Sequence, residues 1–422
     1  MVKRCPYLAF LSVIFSLVIL CSACVKKDTR TVIKFSSWGS ESEVAIIKPI
    51  LHEFEDENPD IKIEFIHIPK NYFQKIHLLI ASNLAPDVIF LNNLNGPVYA
   101  ENNILENLSP YLKKDDLLSE NDFFDKSLNA LSYKNQLYAV PRDISNLVIY
   151  YNKDLFEKYN VPYPSKNWIF ADFENTARRL THDFNKDGKP ELFGVSFEEM
   201  PLFWTPFLWS NGGGILSTDL REVIISTPES IEALQFYADL RNSLHVAPSA
   251  DEQGSATMPQ MFMQSKIAML ISGRWNVPKF RKELEFDWDI ARFPAGKAGS
   301  VVDADASGWA IVKTSKHKNE AWRLIRFLAS KPSSENFTRS GLIVPARRDV
   351  ALSDTFLNRG AKPNSAAIFT DIIPKSVPTP ANKNYREITD IITSEFEPLW
   401  RGKKSAKEVV NDKLVSKIKN LL

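Results

Sequence analysis

The residues whose types and spacing suit chemistry fall in a few short stretches. Cys21-Ser-Ala-Cys24 spells C-x-x-C, the spacing of a dithiol pair. "DFNKDGKPE", Asp183 to Glu191, reproduces the first half of a calcium loop. Asp183, Asn185 and Asp187 would supply side-chain oxygens at alternate positions, with Gly188 taking the sharp turn. The carbonyl of Lys189 and the carboxylate of Glu191 would add ligands, but Gly194 stands where the closing Glu is expected. The same residues also make a polar hairpin turn, so structural calcium and a metal-free turn are both open readings. The six histidines are scattered with no H-E-x-x-H, and no G-x-x-x-x-G-K-[ST] occurs. A zinc hydrolase and an ATPase are therefore not indicated.

The position of the C-x-x-C decides how it is read. Lys3 and Arg4 form a basic start, Leu8 to Leu20 is an almost unbroken apolar run, and Ser22 and Ala23 are small. That order is a secretory signal, and the run is shorter than the roughly 18 residues of a spanning helix. The stretch resembles the bacterial lipoprotein box, with cleavage after Ala23 and lipid on Cys24. The usual Leu three residues earlier is Cys21 here. A secreted chain with an unmodified Cys24 is the alternative. Cys5 is the only other cysteine, so the exported chain makes no disulfide and must be held by its core. It is long enough for that.

The chain has 422 residues, 52 basic and 51 acidic side chains. Such near-neutrality argues against nucleic acid as a partner. The length implies two domains or a split pair. After a polar tether (24–30), "TVIKFSSW" reads as a strand. Val44, Ile47, Leu51 and Phe54 then recur at helical spacing, and "IKIEFIHI" alternates. A helix over "YFQKIHLLIASNLA" leads into the apolar run Val88 to Leu91, which suits a strand buried on both faces. This β-α-β-α-β order predicts a parallel sheet with ligand beyond its carboxyl ends. That argument nominates Ser36, Ser37 and Trp38 after the first strand, and Asn92 and Asn93 after the third. Helices are predicted at 172–180, 228–243, 257–266 and 319–330. A further one opens on the capping box Ser405 to Glu408 and shows Val410, Leu414, Ile418 and Leu421 on one face.

"FSSWGSESE", "IASNLAPDVIFLN", "LYAVPRDISNLVIYYNKDLF", "LWSNGGGIL", "KIAMLISGRWNV", "SGWAIVKTSKHKNEAWRLIRFLAS" and "GLIVPARRDV" run in order along the chain. Together they resemble the family 1 extracellular solute-binding proteins of ABC sugar importers, relatives of maltose-binding protein. The resemblance implies an α/β, two-lobed periplasmic-binding-protein-like fold of type II. Each lobe would be a mainly parallel sheet flanked by helices, with ligand in the cleft between them. Residues 31–141 plus 304–350 would form one lobe, and 142–303 plus 351–422 the other. Crossings are expected near Pro141-Arg142-Asp143, Arg292 to Asp303 and Pro345 to Thr355. The function implied is capture of a carbohydrate, an oligosaccharide, and its delivery to membrane permease subunits. The receptor would be a monomer without cofactor, lipid-anchored outside the cytoplasmic membrane or in the periplasm. A galactose-binding-protein-like calcium loop, closed by a remote carboxylate, is also within the resemblance.

A sugar offers an apolar ring face to aromatic side chains and a rim of hydroxyls to amides, carboxylates and guanidinium groups. Trp38, Trp204, Trp275 and Trp309 are the candidate platforms among nine tryptophans. Trp275 is the principal one, because it follows the apolar strand Ile267 to Ile271, with Gly273 allowing a tight turn. Trp168, Trp322 and Trp400 read as structural. Asn92, Asn93, Asp143, Asp305, Ser307 and Arg347 are the polar candidates. Each has a plainer reading as strand end, turn, cap or surface ion pair. A secreted glycoside hydrolase, which needs two placed carboxylates, and a lipoprotein that merely adheres to polysaccharide are the rival functions. Ligand-dependent closure without turnover separates the receptor from both.

Overall fold

The computed structural model describes residues 29–422 other than 359. The signal stretch and Cys24 lie outside the described residues. Nine strands build two sheets: β1 (Thr31–Ser37), β2 (Ile61–His67), β3 (Val88–Asn92), β4 (Val140–Ser145), β5 (Val148–Asn152), β6 (Phe193–Val195), β7 (Ile267–Ser272), β8 (Trp288–Ala291) and β9 (Asp305–Ile311). The first sheet has the order β2-β1-β3-β9-β4, with β1 parallel to β2 and β3, and β9 antiparallel to β3 and β4. In the second, β8-β5-β7-β6, β5 is antiparallel to both neighbours while β6 and β7 are parallel. In each sheet a single strand therefore runs against the rest.

Local sequence explains these elements. The strand β3 buries Val88 to Leu91 in succession, and every residue of β7 is buried. Both are strands covered on two faces, where alternation is lost. The helix Glu41–Glu57 starts at a capping box: the Glu43 amide donates to Ser40 Oγ and the Ser40 amide to Glu43 Oε2. Its Val44, Ile47, Leu51 and Phe54 are buried. The helices Phe170–Arg179, Pro228–Asn242, Met258–Met263 and Lys318–Leu328 stand close to their predicted ranges. The C-terminal helix differs. Ser405 caps only the single turn Ala406–Val409; Val410 then leaves helical geometry (ψ 76°), and Asn411 caps a second helix, Asp412–Lys419. The Asn411 side chain accepts from the Leu414 amide and restarts the helix. Leu414 and Ile418 remain buried.

Buried apolar side chains separate into two cores. One gathers residues from Ile33 to Val140 and from Ala306 to Ala346 around the first sheet. The other runs from Ile144 to Ala304, takes in Val344, and continues from Phe356 to Ile418 around the second. The connecting segments bond to one another. Ile144 N donates to Val344 O (2.9 Å), Ala346 N to Arg142 O (3.1 Å), and Ala304 N to Val377 O (2.9 Å). Leu147 N donates to Asp303 Oδ1 (3.0 Å). The lobes are thus joined by a small knot of extended backbone.

Candidate functional site

A cavity of about 440 Å³ opens beside these connecting segments, with walls from both cores. Its first wall is built by the order of the sheet. Strands β1 and β3 pair only at Phe35↔Val88 and Ser36↔Ile89, then part. The Tyr72 hydroxyl fills the gap, donating to Ser36 O (3.0 Å) and accepting from Phe90 N (3.1 Å). This is where strand order reverses, and Trp38 stands at the mouth of the gap, its ring 4.2 Å from that of Phe90. Next to it a polar row crosses three strands, because Asn92 pairs with Ser307 and Ser307 with Asp143. Trp38, Asn92, Asp143 and Ser307 all line the cavity.

The side-chain oxygens of Asn92 and Asp143 in this wall already accept hydrogen bonds. Asn92 Oδ1 accepts from Asn95 N and Nδ2. Asp143 Oδ2 accepts from Arg142 Nε at 2.6 Å and Oδ1 from Ser307 N at 3.3 Å. The Arg142 guanidinium also lies 4.2 Å from the centre of the Phe90 ring. Burial pushes the Asp143 carboxyl above its usual range, against the pull of Arg142.

The opposite wall carries Trp275, Arg274, Leu202 and Asn146. Trp275 is 40% exposed, in the short 3-10 turn Arg274–Asn276 that follows β7. The neighbouring Gly273 has ordinary extended backbone (φ −99°, ψ −178°), so a tight turn is not what requires it. A Cβ there would meet the indole at 1.9 Å; glycine is needed because the Trp275 ring lies on it. Arg274 is 3% exposed, with its guanidinium 4.2 Å from the Phe356 ring centre and 5.3 Å from that of Phe369. Its Nε and Nη1 have no partner, and neither does Asn146 Oδ1. Burial pushes the Arg274 group down to about 9, which still leaves it charged at neutral pH.

Other nominated residues lie elsewhere. Asn93 opens the turn after β3 and is not part of the cavity lining. Its Nδ2 donates to Asp305 Oδ1 (2.8 Å) and its Oδ1 accepts from Ala306 N (3.2 Å). Asp305 is also bonded by Thr379 N and Oγ1. These two residues tie strands together rather than line the cavity. Trp309 is 1% exposed, packed near Phe90 and Phe337. Gly308 beside it sits where β9 crowds β4, since a Cβ would meet Val140 O at 2.1 Å, and the register shifts there. The Gly-Trp pair is thus explained by packing. Trp204 is also 1% exposed, on the inner face of the helix Pro201–Asn211 with its Nε1 on Glu199 O, whereas Leu202 of that helix reaches the cavity. Arg347 binds Asp122, Asp349 and Ala329 O within the first lobe. Trp168, Trp322 and Trp400 are buried.

The Asp183–Glu191 loop closes on itself. Asp183 accepts from the amides of Lys186 and Gly188, Asn185 from Asp187, Asp187 from Lys189, and Glu191 from Phe184. No three acidic, Cys or His side chains converge on a cation-sized point among the described residues. The loop's hydrogen bonds are those of a polar hairpin turn.

Sequence reasoning did not single out Arg142, Asn146, Leu202 or Arg274. Arg142 and Arg274 adjoin residues that were nominated, and that adjacency was the available signal. Beneath the cavity, Asp303 is wholly buried; its Oδ2 has no partner. Burial and the neighbouring Asp305 charge push its carboxyl well above the usual range.

The family model for bacterial extracellular solute-binding proteins matches residues 38–335. Among solved structures, this chain is similar to an ABC substrate-binding protein from Listeria monocytogenes in complex with cycloalternan. That likeness has a TM-score of 0.85 at 27% identity, over 93% of this chain and 99% of the other. A maltose-bound protein of T. maritima is similar in fold, with a TM-score of 0.79 at 22% identity over 93% and 100%. The galactooligosaccharide-binding protein of Bacillus subtilis is 23% identical over 414 residues, 92% of this chain and 91% of its own.

Proposed function

The chain belongs to the bacterial extracellular solute-binding proteins, and from that premise we propose that it captures an oligosaccharide between its lobes for an ABC importer. The observation that carries this reading is the two-sided cavity. Trp38 and Trp275 face it from different lobes, with a rank of polar side chains between. Aromatic faces cover sugar rings, while the row Asn92, Ser307 and Asp143 meets hydroxyls. Bound sugar would bridge the lobes and favour their closed arrangement, giving permease subunits a shape distinct from that of the empty receptor. Trp275, the more exposed indole, is the principal stacking platform in this reading.

A hydrolytic role is less well supported. The family matched is one of binding proteins; the Asp143 oxygens accept from Arg142 and Ser307 and keep lone pairs for sugar hydroxyls. Delivery by a lipid anchor on Cys24, and a monomeric receptor, complete the proposal. No helix among the described residues is long and apolar enough to cross a membrane.

Thermal-shift screening against mono- and oligosaccharides tests capture, since a ligand that binds the folded state raises stability by mass action. Small-angle scattering should then show compaction with the binding sugar. Steady release of cleaved sugar would overturn the reading in favour of a hydrolase. Cys24→Ser should leave folding intact and free the protein from the membrane fraction.

A further inference from the structure

A second carboxylate joins Asp143 in the first wall of the cavity: Glu43, from the first turn of the helix Glu41–Glu57. The capping box engages only half of it. Oε2 accepts from the Ser40 amide at 2.7 Å. Oε1 is unbonded and, unlike Arg274 Nε and Nη1, is not shut away from solvent. Glu43 is thus an exception in a wall whose other side-chain oxygens already hold partners.

The carboxylate is nonetheless fixed in place. Gly39, at φ +132°, leaves the room it occupies, because a Cβ there would stand 3.0 Å from Glu43 Cβ and 3.1 Å from Oε2. His67, which ends β2, steadies the same loop with Nε2 at 2.8 Å from Gly39 O. Among the described residues no cation pairs with Glu43. Arg142 is matched by Asp143, and His67 faces Gly39 O and Glu41. Arg274 belongs to the opposite wall, its guanidinium packed on Phe356 and Phe369. Trp38, the candidate platform of this lobe, immediately precedes Gly39 and lines the cavity with Glu43.

We propose that Glu43 is a specificity-determining residue of the cleft: Oε1 accepts from a hydroxyl of the sugar lying at Trp38, and its unpaired charge turns away acidic sugars. The inference rests on the sugar-capture reading and narrows it. An ionised carboxylate accepts hydroxyl hydrogen bonds that are stronger than those between neutral groups. A uronate brought to the same place sets like charge against like, which is costly in a partly dry site. Asp143 discriminates less, since Arg142 already balances its charge.

Calorimetric titration of the mature protein tests this with maltotriose, cellobiose, galactobiose and mannobiose, each beside the form whose hydroxymethyl groups are oxidised to carboxylates. In any pair that binds, the neutral member should bind about tenfold or more tightly than the acidic one. Glu43→Gln keeps a side chain suited to the capping box, so the melting temperature without ligand should hold. Neutral binding should fall about tenfold in that variant, and the gap to the acidic form should narrow. Acidic forms binding as tightly as neutral ones, or neutral binding untouched in Glu43→Gln, would overturn the inference and leave sugar capture standing. An affinity loss matched by a loss of melting temperature would make Glu43 a cap alone and overturn it too. Binding of none of these sugars would overturn sugar capture and this inference together. The wild-type comparison decides even if the variant does not fold.

Discussion

The two walls of the cleft differ in how far they are finished. On the first, Asn92, Asp143 and Arg142 have their partners, and Trp38 is packed against Tyr72, Phe73 and Phe90. On the second, Trp275 is exposed, and Arg274 and Asn146 hold unbonded donors and an unbonded acceptor. The first wall is preorganised by the fold; the second is less so. A mutation in the first should therefore be felt chiefly as lost stability, and one in the second as lost affinity.

The sharpest way to break that contrast is Asp143→Ala. It would leave the part-buried Arg142 cation without its carboxylate, at a loss of about 3 kcal/mol. A urea unfolding curve should show the midpoint fall before any ligand is added. If stability is unchanged and only binding suffers, the first wall is not the structural one. Trp275→Ala should do the reverse. Affinity should weaken by about 1–3 kcal/mol, and the melting temperature should fall much less than the roughly 3–5 kcal/mol of a core tryptophan truncation implies.

Gly273→Ala sharpens the same point without removing the indole. The added methyl must displace the Trp275 ring, so affinity should fall by up to the same 1–3 kcal/mol. In the double variant with Trp275→Ala the losses should not add, which a double-mutant cycle of titrations measures. The smallest effect is expected between the walls. The raised Asp303 carboxyl makes the folded state bind more protons than the unfolded one, so it lowers stability as pH rises through its folded range. Asp303→Asn should remove that decline and raise neutral-pH stability by about 1 kcal/mol, read from melts across pH.

The opening βαβαβ pattern was legible because it rests on local periodicity, and the strand-end rule then pointed to Trp38 and Asn92. The same rule also nominated Asn93, whose side chain is taken up by Asp305 and Ala306 in the turn after the strand. Trp204 and Trp309 could not be placed from sequence, since a tryptophan's outward or inward aspect depends on the partner surface. Arg142 and Arg347 both sit in connecting segments, and nothing local says which one meets the cleft. The unbonded Nε and Nη1 of Arg274 are the least legible feature of all, because they depend on partners that the rest of the chain does not provide.

Strand β9 lies between β3 and β4 in the middle of the first sheet, although most of the second lobe precedes it in sequence. A chain threaded out from its N-terminus thus presents β3 and β4 with bare inner edges until Asp305–Ile311 arrives. Exposed edges of that kind invite pairing with other chains. The first lobe to emerge is consequently the last able to close its sheet, and a chain halted before Asp305 would present those edges to any neighbour.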